Sequence, residues 1–148
     1  MSKLYFRFCL GLVLYVVLSL TSLSFAEVTV IMHASKTNEW TEKQIRDLYL
    51  GLLKMRQVEI FEQAEGQPSR SEFYEKFLNK TETQLKQQRS MLVFSGERIP
   101  AILSDDEAVF ERVKAQANTI GYVSSAYFAK HSSQTSGDGS PVSLFTLK

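Results

Sequence analysis

The chain has 148 residues, with 17 basic and 16 acidic side chains and a formal net charge of +1. This balance gives no electrostatic reason to expect binding to nucleic acid or to an anionic membrane surface. A single cysteine excludes an intramolecular disulfide.

The first residues have the three parts of a secretory signal peptide. Lys3 and Arg7 supply positive charge, Phe8–Leu18 is an uncharged apolar run, and small residues lead up to Ala26. The pattern predicts a signal peptide over residues 1–26. An uncleaved membrane anchor is the alternative, but the apolar run is shorter than the roughly 20 residues that span a bilayer.

Cleavage would leave residues 27–148 as one domain, with 15 basic and 16 acidic side chains and no cysteine. This length is sufficient for a single hydrophobic core. We expect the product in the periplasm, with no membrane insertion after signal cleavage and no nucleic-acid partner.

The first part of this domain predicts a strand, a loop and a helix. Val28–Met32 is β-branched and apolar, which favours a buried strand, and the polar run Ala34–Glu39 follows as a loop. Thr41 and Gln44 form a capping-box pattern that opens a helix, and Gly51 fits the position after its C-terminus. The apolar residues at helical spacing are Ile45, Leu48, Tyr49 and Leu52.

A polar turn over residues 54–57 leads to a second predicted strand, Val58–Phe61. The stretch Gly66–Phe73 follows that strand and admits two interpretations. Ser69 and Glu72 fit S-x-x-E, a capping box that satisfies the free N–H groups of a helix start from within the chain. The same N–H groups, with Arg70 in the first turn, could instead bind an anion. Spacing alone favours the capping box.

The second half contains two further capping-box patterns. Thr81 with Gln84 opens a helix that ends near Ser95 and Gly96, and Ser104 with Glu107 opens another. The predicted buried face of that last helix consists of Val109, Phe110, Val113 and Ala117.

The remaining segments are a connector, two strands and a loop. We predict a connector over Glu97–Leu103, a short strand at Ile120–Val123 and a closing edge strand at Val142–Leu147. The Ser/Gly-rich segment 131–141 predicts a mobile loop. Strands alternating with helices indicate an α/β three-layer sandwich, with a small mixed sheet flanked by helices.

The sequence offers little chemistry beyond this scaffold. Its two histidines, His33 and His131, lie far apart and have no Cys/His cluster near them. We therefore expect no metal, no cofactor, no catalytic residue and no enzymatic activity.

Four short motifs, taken in chain order, resemble a known family. They are Asp47–Gly51, Gln67–Phe73, Phe94–Pro100 and Ile120–Val123. Their order is similar to that in small, truncated members of the periplasmic phosphate-binding protein family, the substrate-binding proteins of phosphate ABC transporters. The resemblance implies a type 2 periplasmic-binding fold, of which this chain has residues for about one lobe.

The resemblance also implies a site. It comprises the loop amides before the second helix together with Ser69, Arg70, Ser71 and Ser35. The chain departs from the family here, because Gln67 and Pro68 replace a serine and a glycine, and Pro68 lacks an N–H donor. Arg89 stands where relatives usually have a tryptophan.

Two hypotheses of function remain open. The first is an exported solute-binding-like protein for phosphate or a similar small oxyanion, linked to phosphate ABC transport and weak as a lone lobe. The alternative is a non-transport interaction or adaptor module of the cell envelope that has lost tight ligand binding. An envelope protein or a second copy would be its partner, and an exposed apolar patch beside the helix starts would mark it.

Overall fold

A computed structural model describes residues 27–36, 40–54, 58–133 and 139–148. The predicted signal peptide lies outside the described residues. The strands are β1 Val28–His33, β2 Glu59–Gln63, β3 Ala101–Leu103, β4 Thr119–Ser124 and β5 Pro141–Leu147. The helices are α1 Glu42–Tyr49, α2 Pro68–Glu72, α3 Glu82–Phe94, α4 Asp106–Ala115 and α5 Ser125–Ser132. A 3₁₀ turn, Ala34–Lys36, follows β1, and a π-helical segment, Phe73–Leu78, continues α2.

The five strands form one mixed sheet in the order β3-β2-β4-β1-β5. Strand β2 runs parallel to both β3 and β4, whereas β1 runs antiparallel to β4 and β5. The carboxyl ends of β2, β3 and β4 therefore share one edge of the sheet, which we call the carboxyl edge. Strand β1 begins at the carboxyl edge and ends at the opposite one.

Helices cover both faces of the sheet, so the predicted three-layer α/β architecture is confirmed. On one face, α1, the π-helical segment and α3 bury a core that includes Ile45, Leu48, Tyr49, Phe73, Phe77 and Leu85. On the other face, α4 and α5 pack on Ile31, Phe61 and Val123. The first core is rich in aromatic rings, and Phe73 stacks on Tyr122 of β4 with 4.0 Å between ring centroids.

Two of the predicted capping boxes are confirmed. The Thr41 and Thr81 side chains each accept a hydrogen bond from the backbone N–H three residues later. In return, the side-chain oxygen of the glutamine at that position, Gln44 or Gln84, accepts from the backbone N–H of the threonine. Gly51 follows α1 with φ of +70°. An added Cβ there would lie 2.2 Å from Leu92 Cδ1, so the end of the Leu92 side chain would have to shift to admit it.

The other two capping boxes were wrong. Helix α2 begins earlier than the Ser69–Glu72 pattern predicts, because Pro68 occupies its first turn and Gln67 is the N-cap. Helix α4 is capped by Asp105, whose carboxylate accepts from Ala108 N–H at 2.9 Å. A carboxylate also matches the positive end of the helix dipole, which favours Asp105 over the neighbouring serine.

Three segments differ from the predictions. The end of the connector 97–103 forms β3, which gains strand conformation only by pairing with β2. Helix α5 was missed, because it buries none of its residues fully and its apolar periodicity is weak. The loop predicted over 131–141 is therefore shorter, since His131 and Ser132 are helical and Pro141 begins β5. Its centre, residues 134–138, lies outside the described residues.

Candidate functional site

The carboxyl edge is the first place to look for a ligand site. In open α/β sheets, ligands usually bind outside the carboxyl ends of the strands, where the following helices begin. Helices α2, α4 and α5 all begin there, after β2, β3 and β4 respectively.

At this edge, an internal carboxylate takes several of the available donors. Asp106 Oδ1 accepts from Gln63 Nε2 at 2.5 Å and from Ser124 N–H at 2.9 Å. Asp106 Oδ2 accepts from Ser124 Oγ at 2.5 Å. These donors would suit an external anion, but the Asp106 carboxylate already takes the place that such an anion would occupy.

The start of α2 is more open. Gln67 makes no side-chain capping hydrogen bond, and Pro68 has no N–H to offer. Gly66 has φ of +86°, and no atom lies within 4 Å of the position that a Cβ would take. Ser71 is exposed, whereas Ser69 is buried. This turn thus leaves room for a small anion but presents few donors to it.

Arg70 does not face that room, although the sequence suggested it as the main cationic ligand. It is only 5% exposed, and its Nε and Nη2 donate to Glu82 at 2.9 and 2.7 Å. Its Nη1 donates to the Gln63 carbonyl and lies 3.6 Å from Glu62. The guanidinium also lies over the Tyr74 ring, 4.9 Å from its centroid. Arg70 is thus held by internal acceptors.

Glu62 is the centre of a buried charged cluster. Its side chain is 1% exposed, and it accepts two hydrogen bonds of 2.6 Å from Arg89 in a bidentate arrangement. Tyr74 Oη donates to it at 2.8 Å. Burial, followed by the charge of Glu62, raises the pKa of Tyr74, so this hydroxyl stays protonated and acts as a donor. The cluster joins β2, α2, the π-helical segment and α3.

Sequence reasoning did not identify this cluster. The available signal was that Glu62 extends an apolar strand and that Arg89 lies one turn after the buried Leu85 of α3. Arg89 Nε is, within the described residues, a buried side-chain polar atom with no hydrogen-bond partner. A charged residue on the inner face of a helix usually has a buried partner, and Glu62 is that partner.

Ser35 cannot join the other predicted site residues. It follows β1, which ends at the edge opposite the carboxyl edge, because β1 is antiparallel to β4. A six-residue strand separates the two edges by on the order of 20 Å. The Ser35 hydroxyl instead hydrogen-bonds His33 Nδ1 at 2.9 Å. The prediction placed both loops at one edge because it did not foresee the direction of β1.

A cleft of about 410 Å³ lies between α3 and the edge strand β3, and we call it the α3–β3 cleft. Its volume falls within the range of ligand-binding clefts. The charged residues that line it are Glu62, Glu65, Arg70, Glu82, Lys86 and Arg89. The apolar residues that line it are Leu85, Val93, Phe94, Ile99 and Ile102. The charges balance, so the cleft does not favour an anion.

The cleft continues into an exposed apolar surface. Phe94 at the end of α3 is 92% exposed, and Ile102 in β3 is 58% exposed. The large hydrophobic side chains that are exposed among the described residues are Leu52, Leu53, Met91, Val93, Phe94, Ile99 and Ile102. Leu52 and Leu53 lie beside α3, because they directly follow Gly51, which contacts the Leu92 side chain of that helix. All seven therefore surround the C-terminal half of α3, and we call them the apolar surface.

Among the described helices, none combines the length and apolarity needed to cross a bilayer. The described part of the chain also brings together no group of three His, Cys, Asp or Glu side chains that could hold a metal ion.

Comparisons with known proteins place the fold. No family model matches the sequence, and no curated protein matches it. The structure is similar to PstS from Borrelia burgdorferi, with a TM-score of 0.51 and 18% identity, over 74% of this chain and 45% of that one. This likeness confirms the predicted fold, that of one lobe of a phosphate-binding periplasmic protein.

Two further solved structures are more distant. One is a protein from Clostridium perfringens that is described as a phosphate ABC transporter substrate-binding protein and contains bound phosphate. Its TM-score to this chain is 0.49 and its sequence identity is 18%. It aligns over 68% of this chain and 40% of that chain. The other is an ABC-type phosphate transport receptor from Vibrio cholerae, with a TM-score of 0.46 and 12% identity. It aligns over 66% of this chain and 40% of that chain. The chain thus spans less than half the length of each.

Proposed function

We propose that this chain is an exported, single-lobe protein with a solute-binding fold that acts through protein contact at the apolar surface. The observation that carries the proposal is the clustering of all the exposed large hydrophobic side chains of the described residues around one end of α3. Scattered exposed hydrophobic residues need no explanation, but a contiguous patch of several hundred Å² is typical of a protein interface. In this proposal the protein works in the periplasm, as an interaction module and not as an enzyme.

The internal use of Arg70 supports contact over tight solute capture. Micromolar binding requires about −8 kcal/mol. Pro68 has no N–H, and the N–H groups of Arg70 and Ser71 already donate to the Gln67 carbonyl. Even about three hydrogen bonds to an anion would be worth only roughly 1.5–3 kcal/mol each. Association itself costs at least about 4 kcal/mol. The balance corresponds to millimolar affinity or weaker for an isolated lobe.

Crosslinking in the cell tests the proposal. Phe94 would be replaced by a photoreactive phenylalanine analogue in the full chain, and Ser143 on β5 by the same analogue as a matched exposed control. We expect position 94, and not position 143, to give a discrete protein adduct in the envelope fraction. Absence of an adduct at position 94, in a chain that is exported and folded, would refute the proposal.

Weak oxyanion binding at the start of α2 is a second candidate function. The uncapped helix start and the open space beside Gly66 favour it. Calorimetric titration with phosphate and with sulfate should give dissociation constants in the millimolar range or no measurable heat. A micromolar constant for phosphate would instead make solute capture the main function and would argue against the contact proposal.

A further inference from the structure

We propose that the partner of the apolar surface is a second copy of this chain, joined through the free edges of the two β3 strands. The result would be a symmetric dimer with a continuous ten-stranded sheet. This inference rests on the proposed function, because it names the partner that docks at the same surface.

The backbone of β3 is suited to this pairing. Its inner side bonds to β2, and the Leu103 carbonyl accepts from Ala64 N–H at 2.8 Å. Because the N–H and C=O directions alternate along a strand, those of Ile102 point away from β2. Two β3 strands can therefore pair antiparallel about Ile102 and exchange two hydrogen bonds. Such pairing is isologous and closes as a two-fold dimer.

The side chains support the same arrangement. Ile102 is in register with Glu62, so its side chain lies on the face of the sheet that α3 covers. A two-fold axis perpendicular to the sheet would keep both α3 helices on that face. The α3–β3 clefts of the two copies would then open toward the axis, and Phe94 of each copy would lie beside the paired Ile102 side chains.

The apolar surface supplies much of the apolar area that a dimer requires. If a large apolar side chain offers about 100 Å² of surface to bury, the exposed fractions of the seven residues amount to roughly 400 Å². One partner of a standard interface contributes about 800 Å², of which a little over half is apolar. Six charged residues line the cleft, three acidic and three basic, so two copies would meet without net repulsion.

The second free edge of the sheet lacks these features. Strand β5 is also at an edge, but its most exposed residues, Ser143 and Thr146, are polar. Of the large exposed hydrophobic residues of the described chain, four line the α3–β3 cleft, namely Val93, Phe94, Ile99 and Ile102, and none belongs to β5. We therefore assign the interface to β3 and use β5 as the internal control.

Sedimentation velocity of the purified full chain over a micromolar concentration series is the first measurement. We expect a reversible dimer with a micromolar or tighter dissociation constant. Ile102→Lys places a charge at the centre of the pairing and should weaken the dimer at least 100-fold, whereas Ser143→Lys should leave it unchanged. Both residues are exposed, so both variants should keep the circular dichroism spectrum and melting temperature of the parent chain.

Thiol crosslinking is the second measurement. A short bismaleimide should link two copies of Ile102→Cys but not of Ser143→Cys, and the unaltered chain, treated alongside, reports any reaction of Cys9. A chain that stays monomeric throughout the series would overturn the inference. So would a dimer that survives Ile102→Lys or crosslinks through position 143. If position 94 still captures a different protein in the envelope, only the identity of the partner is wrong and the proposed function stands.

Discussion

The buried charged cluster around Glu62 gives the sharpest test of the structure. Glu62 is 1% exposed and faces two guanidinium groups, those of Arg89 at 2.6 Å and Arg70 at 3.6 Å. Glu62→Gln keeps the shape of the side chain but removes the negative charge. The new amide would also place N–H donors against the N–H donors of Arg89.

The expected cost follows from what remains unpaired. Removing one partner of a buried ion pair typically destabilises a protein by about 3–5 kcal/mol, because the other charge stays buried without compensation. Arg70 keeps Glu82 and a backbone carbonyl, and Arg89 is slightly exposed, so we expect the lower end, about 3 kcal/mol. For a domain of this size, that corresponds to a fall in melting temperature of roughly 10 °C.

The matched control is Glu65→Gln. Glu65 also pairs with a cation, Lys86 at 2.8 Å, but both side chains are mostly exposed. Exposed pairs contribute little because water screens the two charges, so this variant should unfold close to the parent. Urea denaturation of the parent and both variants, followed by circular dichroism, measures the two changes. Equal and small changes would show that Glu62 is hydrated and that the buried cluster does not exist as described.

Three further predictions concern stability. Burial is the main cause that raises the pKa of Tyr49 and Tyr122. Their contribution to the stability of the fold should therefore be complete below the ordinary tyrosine pKa of about 10 and should be lost as the pH rises above it. A spectrophotometric titration should therefore show their ionisation only together with unfolding; early, reversible ionisation would contradict their burial. Gly121→Ala should lower the free energy of unfolding by about 1–3 kcal/mol through overpacking, because the alanine Cβ would lie 2.5 Å from Val109 Cγ1. In thermal melts, adding Val109→Ala should recover part of that loss. Thr81→Ala should cost about 1 kcal/mol in urea denaturation through loss of the N-cap of α3, and no change would mean that the capping box contributes nothing.

The elements that were predicted correctly are those specified by local interactions. Val28–Met32 is apolar at every position except Thr29, and a largely apolar run suits a buried central strand whatever its neighbours are. Thr41 and Thr81 cap helices through contacts within four residues of chain. Gly51 supplies a positive φ that other residues adopt at a cost. Each of these signals is complete within one short stretch of sequence.

The elements that were missed depend on distant residues. Strand β3 exists because β2 pairs with it, and Ala101–Leu103 alone carries too few residues for a periodic pattern. Helix α5 packs weakly and gives little periodicity. Ser35 was grouped with Ser69 because the sequence does not show in which direction β1 crosses the sheet.

The sequence by itself determined the succession of apolar strands, the two capping boxes and the α/β layering, because each follows from local backbone preference and hydrophobic periodicity. Only the tertiary structure decided the direction of β1, the pairing of Glu62 with Arg89, and the turning of Arg70 away from the open helix start. It also decided that the exposed hydrophobic residues gather beside a free strand edge. The physical reason is that charge pairing and surface clustering depend on which distant segments meet, and spacing along one chain does not encode that meeting directly.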